Sequence, residues 1–452
     1  MAQTTKTAPA ALERAKAAVD VAEAAFPAWS ATGPHARRAL LLRVADELQA
    51  MAPEFVEAMR DETGSTEPWA RFNVGLAAEM LREAAALTTS VRGQTIPSEH
   101  PGTVAMTFRV PVGVVLGIAP WNAPVILGVR AVATPLACGN TVVLKASEIC
   151  PRTHGLIADA FRRAGAPDGI VTAVTNEPHE AADVVGALID NPAVRRVNFT
   201  GSTAVGRVIA ERAARTLTPV LLELGGKAPF LVLADADLDE AVKAAAFGSF
   251  MNQGQICMST ERIIVVDEVA DEFVRRFAQK AATLTAGEPG SPLGPVVSEV
   301  SAERVRDLVQ DAVGRGAQVV AGGSGDGVHL PATVLDGVVD GMTLYRDESF
   351  GPVVSVIRAR DTEDAVRIAN DSQYGLSSSV FTRNIAEAFR VARALDVGMC
   401  HINGATVHDE AQMPFGGVKG SGYGRFGGEA GVAEFTDLRW ITVETEPGHF
   451  PI

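Results

Sequence analysis

The stretch GVVLGIAPWNAPVILGVRAVATPLACGNTVVLK, residues 113–145, decides the fold. Its two ends, Gly113–Ile118 and Thr141–Lys145, are short apolar runs of the kind that form buried strands. Between them, Val125–Ala137 has the apolar content and the length of a helix. A strand, a helix and a second strand in this order predict a βαβ unit, whose two strands lie parallel in one sheet.

The alternation of strands and helices continues after this unit. Further strands are predicted at Ile170–Val174, Val194–Phe199 and Val220–Leu224, with helices at Pro151–Ala164, Ala181–Ile189 and Thr203–Thr216. This alternation predicts a doubly wound parallel sheet. Sheets of that kind bind ligands at the carboxyl ends of their strands.

A second alternating region begins near Ala228. Its predicted elements are helices at Leu238–Gln253, Ala270–Leu284, Ala302–Gly314 and Thr362–Asn370, with extended segments at Arg262–Val266 and Val353–Ile357. We expect a second α/β domain here, because 452 residues exceed what one hydrophobic core usually holds.

The two ends of the chain have a different character. Apolar residues recur at helical spacing in three early segments, Ala11–Ala25, Arg37–Arg60 and Glu67–Leu87. The segment Gln94–Arg109 is polar, contains proline and then alternates, which predicts a hairpin that projects from the body. The β-rich segment Phe435–Val443 predicts a terminal strand that could pair with a neighbouring subunit.

Composition and charge exclude several classes of function. The chain is 47% hydrophobic and 21% charged, which is typical of a globular protein, and its formal net charge is −14. An acidic chain without a basic stripe is a poor candidate for binding nucleic acid or an anionic membrane. The uncharged run Val110–Val129 is long enough to cross a bilayer, but prolines and glycines interrupt it, so we expect no membrane span.

The cysteines and the N-terminal segment indicate in which cellular compartment the protein is expected. Cys138, Cys150, Cys257 and Cys400 are far apart and form no cluster with metal-ligand spacing, so we expect neither disulfides nor a metal site. A reducing, cytoplasmic setting fits this pattern. The segment Met1–Phe26 carries acidic residues and no apolar core, unlike a signal or transit peptide.

Three residues next to predicted strands or turns could carry chemistry. Asn122 follows the first strand, where its amide could donate to a developing oxyanion or could cap the next helix. Glu223 ends an apolar strand, where a carboxylate has either a chemical role or a cationic partner such as Lys227. Cys257 follows a polar, Gly-containing segment that favours an accessible thiol, although most isolated cysteines are buried and structural.

Two further segments could bind a nucleotide. Lys145 and Glu148, at the end of an apolar strand, could hydrogen-bond ribose hydroxyls or could form a solvated salt bridge. The segment FTGSTAVG, residues 199–206, follows a strand and opens a helix, an arrangement that favours a phosphate. Its spacing differs from the usual dinucleotide fingerprint, so a capped helix start is the alternative.

Together these segments resemble the aldehyde dehydrogenase superfamily. The matching motifs, in the family's order and spacing, are PWNAP (120–124), LKASE (144–148), FTGSTAVG (199–206), LELGGK (222–227), GQIC (254–257), ESFGPV (348–353) and PFGGVKGSGYGR (414–425). The resemblance covers about residues 11–445, and the main departure is a short segment before the first helix.

The resemblance implies a role for each matching residue. Cys257 would be the nucleophile, Glu223 the general base and Asn122 the oxyanion donor in the oxidation of an aldehyde to a carboxylic acid. The residues implied in cofactor binding are Ile118, Trp121, Lys145, Glu148, Gly201, Ser202, Gly206, Leu224, Glu348 and Phe350. Gly201, Ser202 and Gly206 would lie at the pyrophosphate turn.

The cofactor and the assembly follow from the same resemblance. A carboxylate at Glu148 would accept a hydrogen bond from the ribose 2′-OH and repel a 2′-phosphate, so we predict NAD, with NADP tolerated. The implied parts are an NAD(P)-binding domain (1–93 and 111–227), a catalytic domain (228–417) and a β oligomerisation element (94–110 and 430–446). Family members are dimers or tetramers, so we expect a homodimer or homotetramer.

A few positions predict the substrate. Ala123 stands where many aliphatic-aldehyde enzymes carry Phe, and a small residue would widen the tunnel beside the nucleophile. Arg130, two helical turns further on, could meet a phenolic oxygen or a carboxylate, or form a structural salt bridge. Ile256 and Met258 would complete the pocket. The sequence resembles the aromatic-aldehyde branch, the salicylaldehyde, vanillin and benzaldehyde dehydrogenases.

Other functions stay open at this point. An aliphatic-aldehyde or semialdehyde dehydrogenase would share every motif, whereas Glu223 argues against a CoA-acylating enzyme. A thiol esterase would leave the dinucleotide residues without a use, and a non-catalytic relative would leave the nucleophile and base without one. His401 and His408 lie near the predicted substrate entrance, and the sequence does not decide whether they contact substrate.

Overall fold

The computed structural model describes residues 9–287, 290–447, 450 and 452, so the first eight residues of the predicted cofactor domain lie outside it. The helices are α1 Pro9–Ser30, α2 Pro34–Ala50, α3 Ala52–Thr63, α4 Glu67–Leu87, α5 Pro124–Ala137, α6 Pro151–Arg163, α7 Ala181–Ile189, α8 Thr203–Ala214, α9 Leu238–Phe250, α10 Asp267–Ala281, α11 Glu299–Gly314, α12 Thr343–Arg346, α13 Thr362–Asn370, α14 Ile385–Ala394 and α15 Gly428–Glu434. The strands are β1 Thr95–Ile96, β2 Thr103–Pro111, β3 Val114–Ile118, β4 Thr141–Lys145, β5 Val171–Val174, β6 Val194–Thr200, β7 Val220–Glu223, β8 Ala228–Val232, β9 Thr260–Val266, β10 Gln318–Ala321, β11 Thr333–Asp336, β12 Val353–Ala359, β13 Tyr374–Gly375, β14 Ser377–Phe381, β15 Met399–Ile402, β16 Val418–Lys419, β17 Gly422–Tyr423 and β18 Thr436–Glu444.

The first sheet contains the βαβ unit predicted at residues 113–145. Its strand order is β17-β7-β6-β3-β4-β5, and every pair is parallel except the short edge pair β17 and β7. From β3 the sheet extends on one side through β4 and β5, and on the other side through β6 and β7. The boundary between β3 and β6 is therefore the switch point of a doubly wound sheet. The predicted α/β fold class is confirmed.

The second sheet lies in the C-terminal half of the chain. Its order is β10-β11-β12-β9-β8-β14-β15, and all of its pairs are parallel except β10 and β11. Separate clusters of buried apolar residues cover the two faces of each sheet. Covered faces of this kind are what parallel sheets require, because their crossover helices pack on both sides.

A small antiparallel sheet joins distant parts of the chain. Strands β1 and β2 form the predicted hairpin, and β18 pairs with β2 along its whole length, from Thr436 opposite Pro111 to Glu444 opposite Thr103. The terminal strand therefore finds its partner within its own chain. Its outer residues remain exposed, including Trp440 at 72%.

Several elements differ from the sequence predictions, and two of them show why. The single helix predicted at Arg37–Arg60 is two helices, α2 and α3. A proline lies in the first turn of α3, where it is tolerated, but it would break one continuous helix at that point. Strand β14 was not predicted, because its serines resemble a loop, yet all five of its residues are buried inside the second sheet. Among the described residues, no helix has the length and apolarity to cross a membrane.

Candidate active site

The carboxyl ends of the first sheet bring four predicted site segments together. Strand β3 ends just before Asn122, β4 ends at Lys145, β6 runs into Gly201 and β7 ends at Glu223. Because parallel strands end on the same side of a sheet, these residues lie along one edge. The switch point between β3 and β6 is in the middle of that edge.

A strained turn presents Cys257 to this edge. Asn252 and Gln253 both have left-handed backbone conformations, with φ of 48° and 57°, and Gly254 follows at 70°. A Cβ at Gly254 would lie 2.2 Å from the carbonyl oxygen of Gly351, so only glycine fits. Unfavourable backbone of this kind collects at functional sites. The turn leaves Cys257 partly exposed.

Asn122 is fixed beside that turn by three hydrogen bonds. Its Nδ2 donates to the carbonyl of Gln255 at 3.0 Å, and its own carbonyl accepts from Trp69 Nε1 and Asn252 Nδ2, each at 3.1 Å. Helix α5 has Ala123 as its N-cap and no side-chain cap, so the capping alternative is wrong. An amide has two N–H groups, and the second one is available to an oxyanion.

Glu223 is a buried carboxylate that no cation holds. It is 1% exposed, and neither of its oxygens has a hydrogen-bond partner among the described residues. The salt bridge considered for it does not form, because Lys227 pairs instead with Glu261 at 2.6 Å. Burial raises the pKa of Glu223 to about 8, although the positive charge of Arg130 acts in the opposite direction.

Cys257 and Glu223 influence each other's ionisation. Burial, and next the charge of Glu223, raise the pKa of the Cys257 thiol well above its ordinary value. Two neighbouring acids in a desolvated site resist carrying two negative charges at once.

Two cavities meet at Cys257. The first, which we call the apolar cavity, has a volume of about 310 Å³. It is lined by Trp69, Phe72, Leu76, Asn122, Ala123, Ile126, Leu127, Arg130, Phe247, Met251, Ile256, Cys257, Met258, Ala405, Val407, His408, Asp409 and Phe415. The second, the strand-end cavity, has about 230 Å³ and is lined by Pro120, Trp121, Asn122, Leu127, Thr200, Gly201, Ser202, Glu223, Gly225, Cys257, Arg304, Glu348 and Phe350. Both cavities include the thiol and the Asn122 amide.

All four residues predicted for the substrate pocket lie on the wall of the apolar cavity. Sequence reasoning missed the aromatic residues around them, including Trp69, Phe247 and Phe415. These come from three separate segments, and each fits the pattern of an ordinary core position. Trp69 and Phe247 lie outside every matching motif, whereas Phe415 lies within PFGGVKGSGYGR (414–425), where no pocket role was assigned to it.

Arg130 is not a free cation. Its Nη2 forms an ion pair with Asp409, and its guanidinium lies over the ring of Phe415, 4.2 Å from the centroid. Of the two interpretations of Arg130, the structural salt bridge is present, and contact of its guanidinium with a substrate oxygen stays a prediction. Arg130 still contributes to the cavity wall.

Seven of the ten predicted cofactor residues fall into two groups. Trp121, Gly201, Ser202, Glu348 and Phe350 line the strand-end cavity, and the Trp121 and Phe350 rings meet edge to face at 5.8 Å. Ile118 and Leu224 are buried behind that wall, in the apolar cluster on one face of the first sheet. The wall also includes Thr200 and Arg304, which sequence reasoning missed.

Glu348 and Glu148 are two largely buried carboxylates that differ in their hydrogen bonds and ion pairs. Glu348 accepts a hydrogen bond from the backbone N–H of Gly226 at 2.8 Å, while burial raises its pKa to about 7. Glu148 forms an ion pair with Lys145 and accepts from Asn176 Nδ2 at 3.0 Å. These bonds hold its pKa below the ordinary value against the opposing effect of burial.

Gly206 does not lie at the turn. It is one turn inside α8, where its N–H donates to the carbonyl of Ser202 at 2.9 Å. A Cβ at Gly206 would come within 2.5 Å of Leu224, so the glycine permits close packing of helix against sheet. Its placement at a pyrophosphate turn is corrected to a packing position beneath that turn.

The two histidines left open by the sequence occupy different places. His408 lines the apolar cavity and pairs with Glu410 at 2.9 Å. His401 lies behind it, with the two rings 4.9 Å apart. Burial lowers the pKa of His401 to about 4, so this ring is neutral at physiological pH.

The strand-end cavity fits a dinucleotide by the chemistry of its wall. The N-terminus of the twelve-residue helix α8 opens directly after Gly201 and Ser202, and such helix ends favour phosphate groups. At the neighbouring strand end, Lys145 and Glu148 offer a donor and an acceptor suited to ribose hydroxyls.

Comparison with known proteins gives a consistent result. A model of the aldehyde dehydrogenase family matches residues 2–441. A vanillin dehydrogenase from Pseudomonas fluorescens is 57% identical over 450 residues, which cover 99% of this chain and 93% of that protein. A salicylaldehyde dehydrogenase from Pseudomonas sp. (strain C18) is 50% identical over 451 residues, with 99% and 93% covered.

A solved structure is similar over nearly the whole fold. The crystal structure of a salicylaldehyde dehydrogenase from Pseudomonas putida G7, complexed with salicylaldehyde, superposes with a TM-score of 0.96 at 49% identity. The match covers 98% of this chain and 92% of that chain.

Proposed function

This chain belongs to the aldehyde dehydrogenase family, and from that premise we propose that it oxidises aromatic aldehydes to carboxylic acids with NAD as the preferred oxidant. The position of Cys257 carries this proposal. Its thiol lies where the apolar cavity and the strand-end cavity meet, so an aldehyde on one side and a dinucleotide on the other could reach the same sulfur. The named relatives at 50% identity or more act on vanillin and salicylaldehyde, which are aromatic.

The first half of the reaction forms a covalent adduct. The Cys257 thiolate attacks the aldehyde carbon, because the thiolate rather than the thiol is the nucleophile. The free N–H of the Asn122 amide and the backbone N–H of Cys257 stabilise the oxyanion of the thiohemiacetal. When bound, NAD supplies the acceptor for the hydride that leaves this carbon. Collapse of the oxyanion leaves a thioester on the sulfur.

The second half releases the acid. Glu223 accepts a proton from a water molecule, which attacks the thioester carbon and displaces the Cys257 sulfur. An unpaired buried carboxylate with a pKa of about 8 suits this task, since it is basic enough to take that proton. The same group argues against transfer to CoA, which needs no water-activating carboxylate.

We assign the cofactor contacts by position. Lys145 and Glu148 would hold the adenosine ribose, the turn at Gly201 and Ser202 the phosphates, and Glu348 the nicotinamide ribose. Because Glu148 keeps a negative charge beside the expected ribose site, NAD is favoured over NADP, while its pairing with Lys145 leaves NADP tolerated.

The small antiparallel sheet supports an oligomer as part of the same proposal. Strand β18 is an edge strand whose exposed residues include Leu438 and Trp440, at 60% and 72%. Exposed apolar residues on a strand edge favour contact with another chain. A homodimer or homotetramer built through this strand is the expected assembly.

The direct test is NADH production by the purified protein. Benzaldehyde, salicylaldehyde, vanillin, propanal and succinate semialdehyde would each be supplied with NAD, and the Cys257→Ala variant would run alongside. We expect the aromatic aldehydes to have the highest kcat/KM and the variant to produce no NADH. A tenfold preference for propanal over benzaldehyde would contradict the aromatic assignment.

A further inference from the structure

A buried ion pair lies next to a turn that forms part of the strand-end cavity. Lys227 directly precedes strand β8, and Glu261 is the second residue of the neighbouring strand β9. The Nζ atom of Lys227 is 2.6 Å from Oε2 of Glu261, and the two side chains are 0% and 4% exposed. Burying two charges is costly even when they pair, and apolar residues of similar volume often stabilise a fold equally well. The cost of this pair indicates a task besides stability.

The carboxylate of Glu261 also holds a turn of the main chain. Its two oxygens accept hydrogen bonds from the backbone N–H of Ser349, each at 2.9 Å, and Oε1 accepts from the N–H of Phe350 at 3.1 Å. Within the described ranges, neither N–H donates to a main-chain carbonyl. Ser349 is 2% exposed, so without Glu261 its N–H would be a buried donor that no protein group satisfies.

The turn has an unfavourable backbone conformation. Phe350 has a φ of 49°, in the left-handed region, which a bulky residue rarely adopts. Such a conformation persists only where the surrounding contacts determine it. The N–H of Phe350 is bonded to Glu261, and its ring meets Trp121 edge to face at 5.8 Å. These two contacts together hold Phe350 in this conformation.

The turn carries two residues of the strand-end cavity. Glu348 and Phe350 both line that cavity. The Glu348 side chain is also bound by the segment that precedes β8, because the backbone N–H of Gly226 donates to its Oε1 at 2.8 Å. A Cβ at Gly225 would come within 2.6 Å of Glu348 Oε2, so the two segments pack closely. The ion pair therefore joins the two segments that determine the position of Glu348.

We propose that Glu261 is a positioning residue for the cofactor: its carboxylate fixes the turn 348–350 before NAD binds, so that Glu348 and Phe350 already line the cavity when the nicotinamide half arrives. This inference rests on the proposed function and adds to it a residue that acts through its neighbours. Among the described residues, neither Glu261 nor Lys227 lines either cavity at Cys257. Lys227 contributes indirectly, because its positive charge compensates that of the buried carboxylate.

The first test uses the wild-type protein. Hydrogen-exchange mass spectrometry with residue resolution would follow the main-chain amides of Ser349 and Phe350, with and without NAD. We expect both amides to exchange slowly in the free protein, because Glu261 already accepts their hydrogen bonds. Fast exchange that becomes slow only with NAD would show that the cofactor orders the turn, and would overturn the proposal.

The second test compares two double variants that differ in one acceptor group. Lys227→Met, Glu261→Leu removes both charges and every acceptor for the turn, whereas Lys227→Met, Glu261→Gln removes both charges but keeps one acceptor oxygen. Neither variant leaves an unpaired buried charge. In fluorescence titration, we expect the leucine variant to bind NAD about tenfold more weakly, as for the loss of a hydrogen bond to a charged group.

The glutamine variant should bind NAD nearly as tightly as the wild type, because its remaining oxygen can still accept from the turn. An unchanged NAD affinity in the leucine variant would overturn the proposal. A glutamine variant as weak as the leucine variant would also overturn it, because the loss would then not depend on the acceptor.

Two controls show whether the loss is local. AMP carries only the adenosine half, for which Lys145 and Glu148 are the proposed contacts, so its Kd should be the same in all variants. Ser355→Ala removes the 2.8 Å hydrogen bond from Ser355 Oγ to the main-chain carbonyl of Glu261 and leaves the carboxylate in place, so NAD affinity should be kept. An equal loss of AMP and NAD affinity in the leucine variant would indicate general damage to the cofactor domain and contradict a positioning role.

These binding measurements use no aldehyde, which separates the inference from the proposed function. If no aldehyde yields NADH but the leucine variant alone loses NAD affinity, the proposed function fails and the role of Glu261 stands. If aldehydes are oxidised and all variants bind NAD equally, the proposed function stands and the role of Glu261 fails. Absence of NAD binding by the wild type would overturn both.

Discussion

The two cavities that meet at Cys257 are built in different ways. The strand-end cavity consists largely of residues that follow strands of the first sheet, such as Trp121, Gly201 and Glu223. The apolar cavity is assembled from side chains on separate helices and loops, such as Trp69 on α4 and Phe247 on α9. The first depends on local backbone geometry, whereas the second depends on tertiary packing.

This difference determines how freely the amino-acid sequence of each cavity can vary. A turn that brings backbone N–H groups to a ligand tolerates few sequences, so the strand-end cavity is fixed in form. A wall of side chains can be altered one residue at a time without disturbing the sheet. We therefore expect substitutions at the junction to damage the reaction itself, and substitutions in one cavity to affect only the ligand of that cavity.

The largest effect is expected at the junction, from Glu223→Gln. Glutamine keeps the shape but cannot accept the proton of the attacking water, so thioester hydrolysis should slow by about 10³-fold. The first turnover should still release NADH, because the substitution leaves the thiol in place. Rapid-mixing measurements should show a burst of NADH with almost no steady state, and mass spectrometry should detect the acyl adduct on Cys257. Loss of the burst would assign Glu223 to the first half-reaction.

The pH profile gives an independent reading of the same residue. Glu223 accepts a proton only when ionised, and its pKa is raised to about 8, so the rate of hydrolysis should increase as the pH rises through about 8. The increase should be absent from the residual hydrolysis in Glu223→Gln. An inflection near the ordinary pKa of a carboxyl group, far below 8, would contradict the buried, unpaired environment of this residue.

The second effect at the junction is that of Asn122→Ala. Removal of one preorganised oxyanion donor typically lowers kcat by about 10²-fold, and both half-reactions develop an oxyanion. The burst and the steady state should therefore slow together, unlike the result for Glu223→Gln. A change in KM alone, with kcat retained, would show that the amide binds substrate without stabilising the transition state.

A substitution in the apolar cavity should change the use of the aldehyde without changing the binding of NAD. Ala123→Phe fills space beside Cys257 and should lower kcat/KM for benzaldehyde by about 2 kcal/mol, or roughly thirtyfold. Propanal should be affected less, because it needs less room. The affinity for NAD, measured by fluorescence titration, should stay unchanged. A parallel loss of NAD affinity would mean that the two cavities are not independent.

The smallest effect is expected in the strand-end region, from Glu148→Gln. The change removes the charge that repels a 2′-phosphate, so the ratio of kcat/KM for NAD to that for NADP should fall about tenfold. The ranking of aldehydes should not move. Asn176→Ala is the control, since it removes a neighbour of Glu148 and leaves the carboxylate. An unchanged cofactor ratio would place the ribose elsewhere.

The same contrast explains how much could be predicted from the sequence. Strand β4 and helix α7 match their predicted bounds, because an apolar run between turn residues leaves little freedom. The segments that hold Asn122, Glu223 and Cys257 are short motifs with fixed spacing, so their residues could be named in advance. The geometry that supports each role, such as the unpartnered carboxylate of Glu223, is visible only in the fold.

The substrate side could be predicted only in part. Ala123 was singled out because it lies inside a motif, whereas Asp409 lies in a loop that no local pattern distinguishes. Its pairing with Arg130 joins residues 279 positions apart, and such a contact depends on the whole packing. Gly206 shows the opposite error, since a motif suggested a phosphate contact where the helix needs close packing against Leu224.

The ladder between β2 and β18 has a consequence for how the chain is made. Thr103 and Glu444, which pair at its end, are 341 residues apart, so β2 leaves the ribosome long before its partner exists. At the usual rate of synthesis, about 5–20 residues per second, that interval is roughly 17–70 s. During this time β2, with its apolar residues Val104 and Phe108, has an unpaired edge because β18 has not yet been synthesised. An unpaired edge of this kind can pair with other nascent chains. Slow synthesis or crowded expression should therefore reduce the soluble yield of this protein before any defect in its finished fold becomes visible.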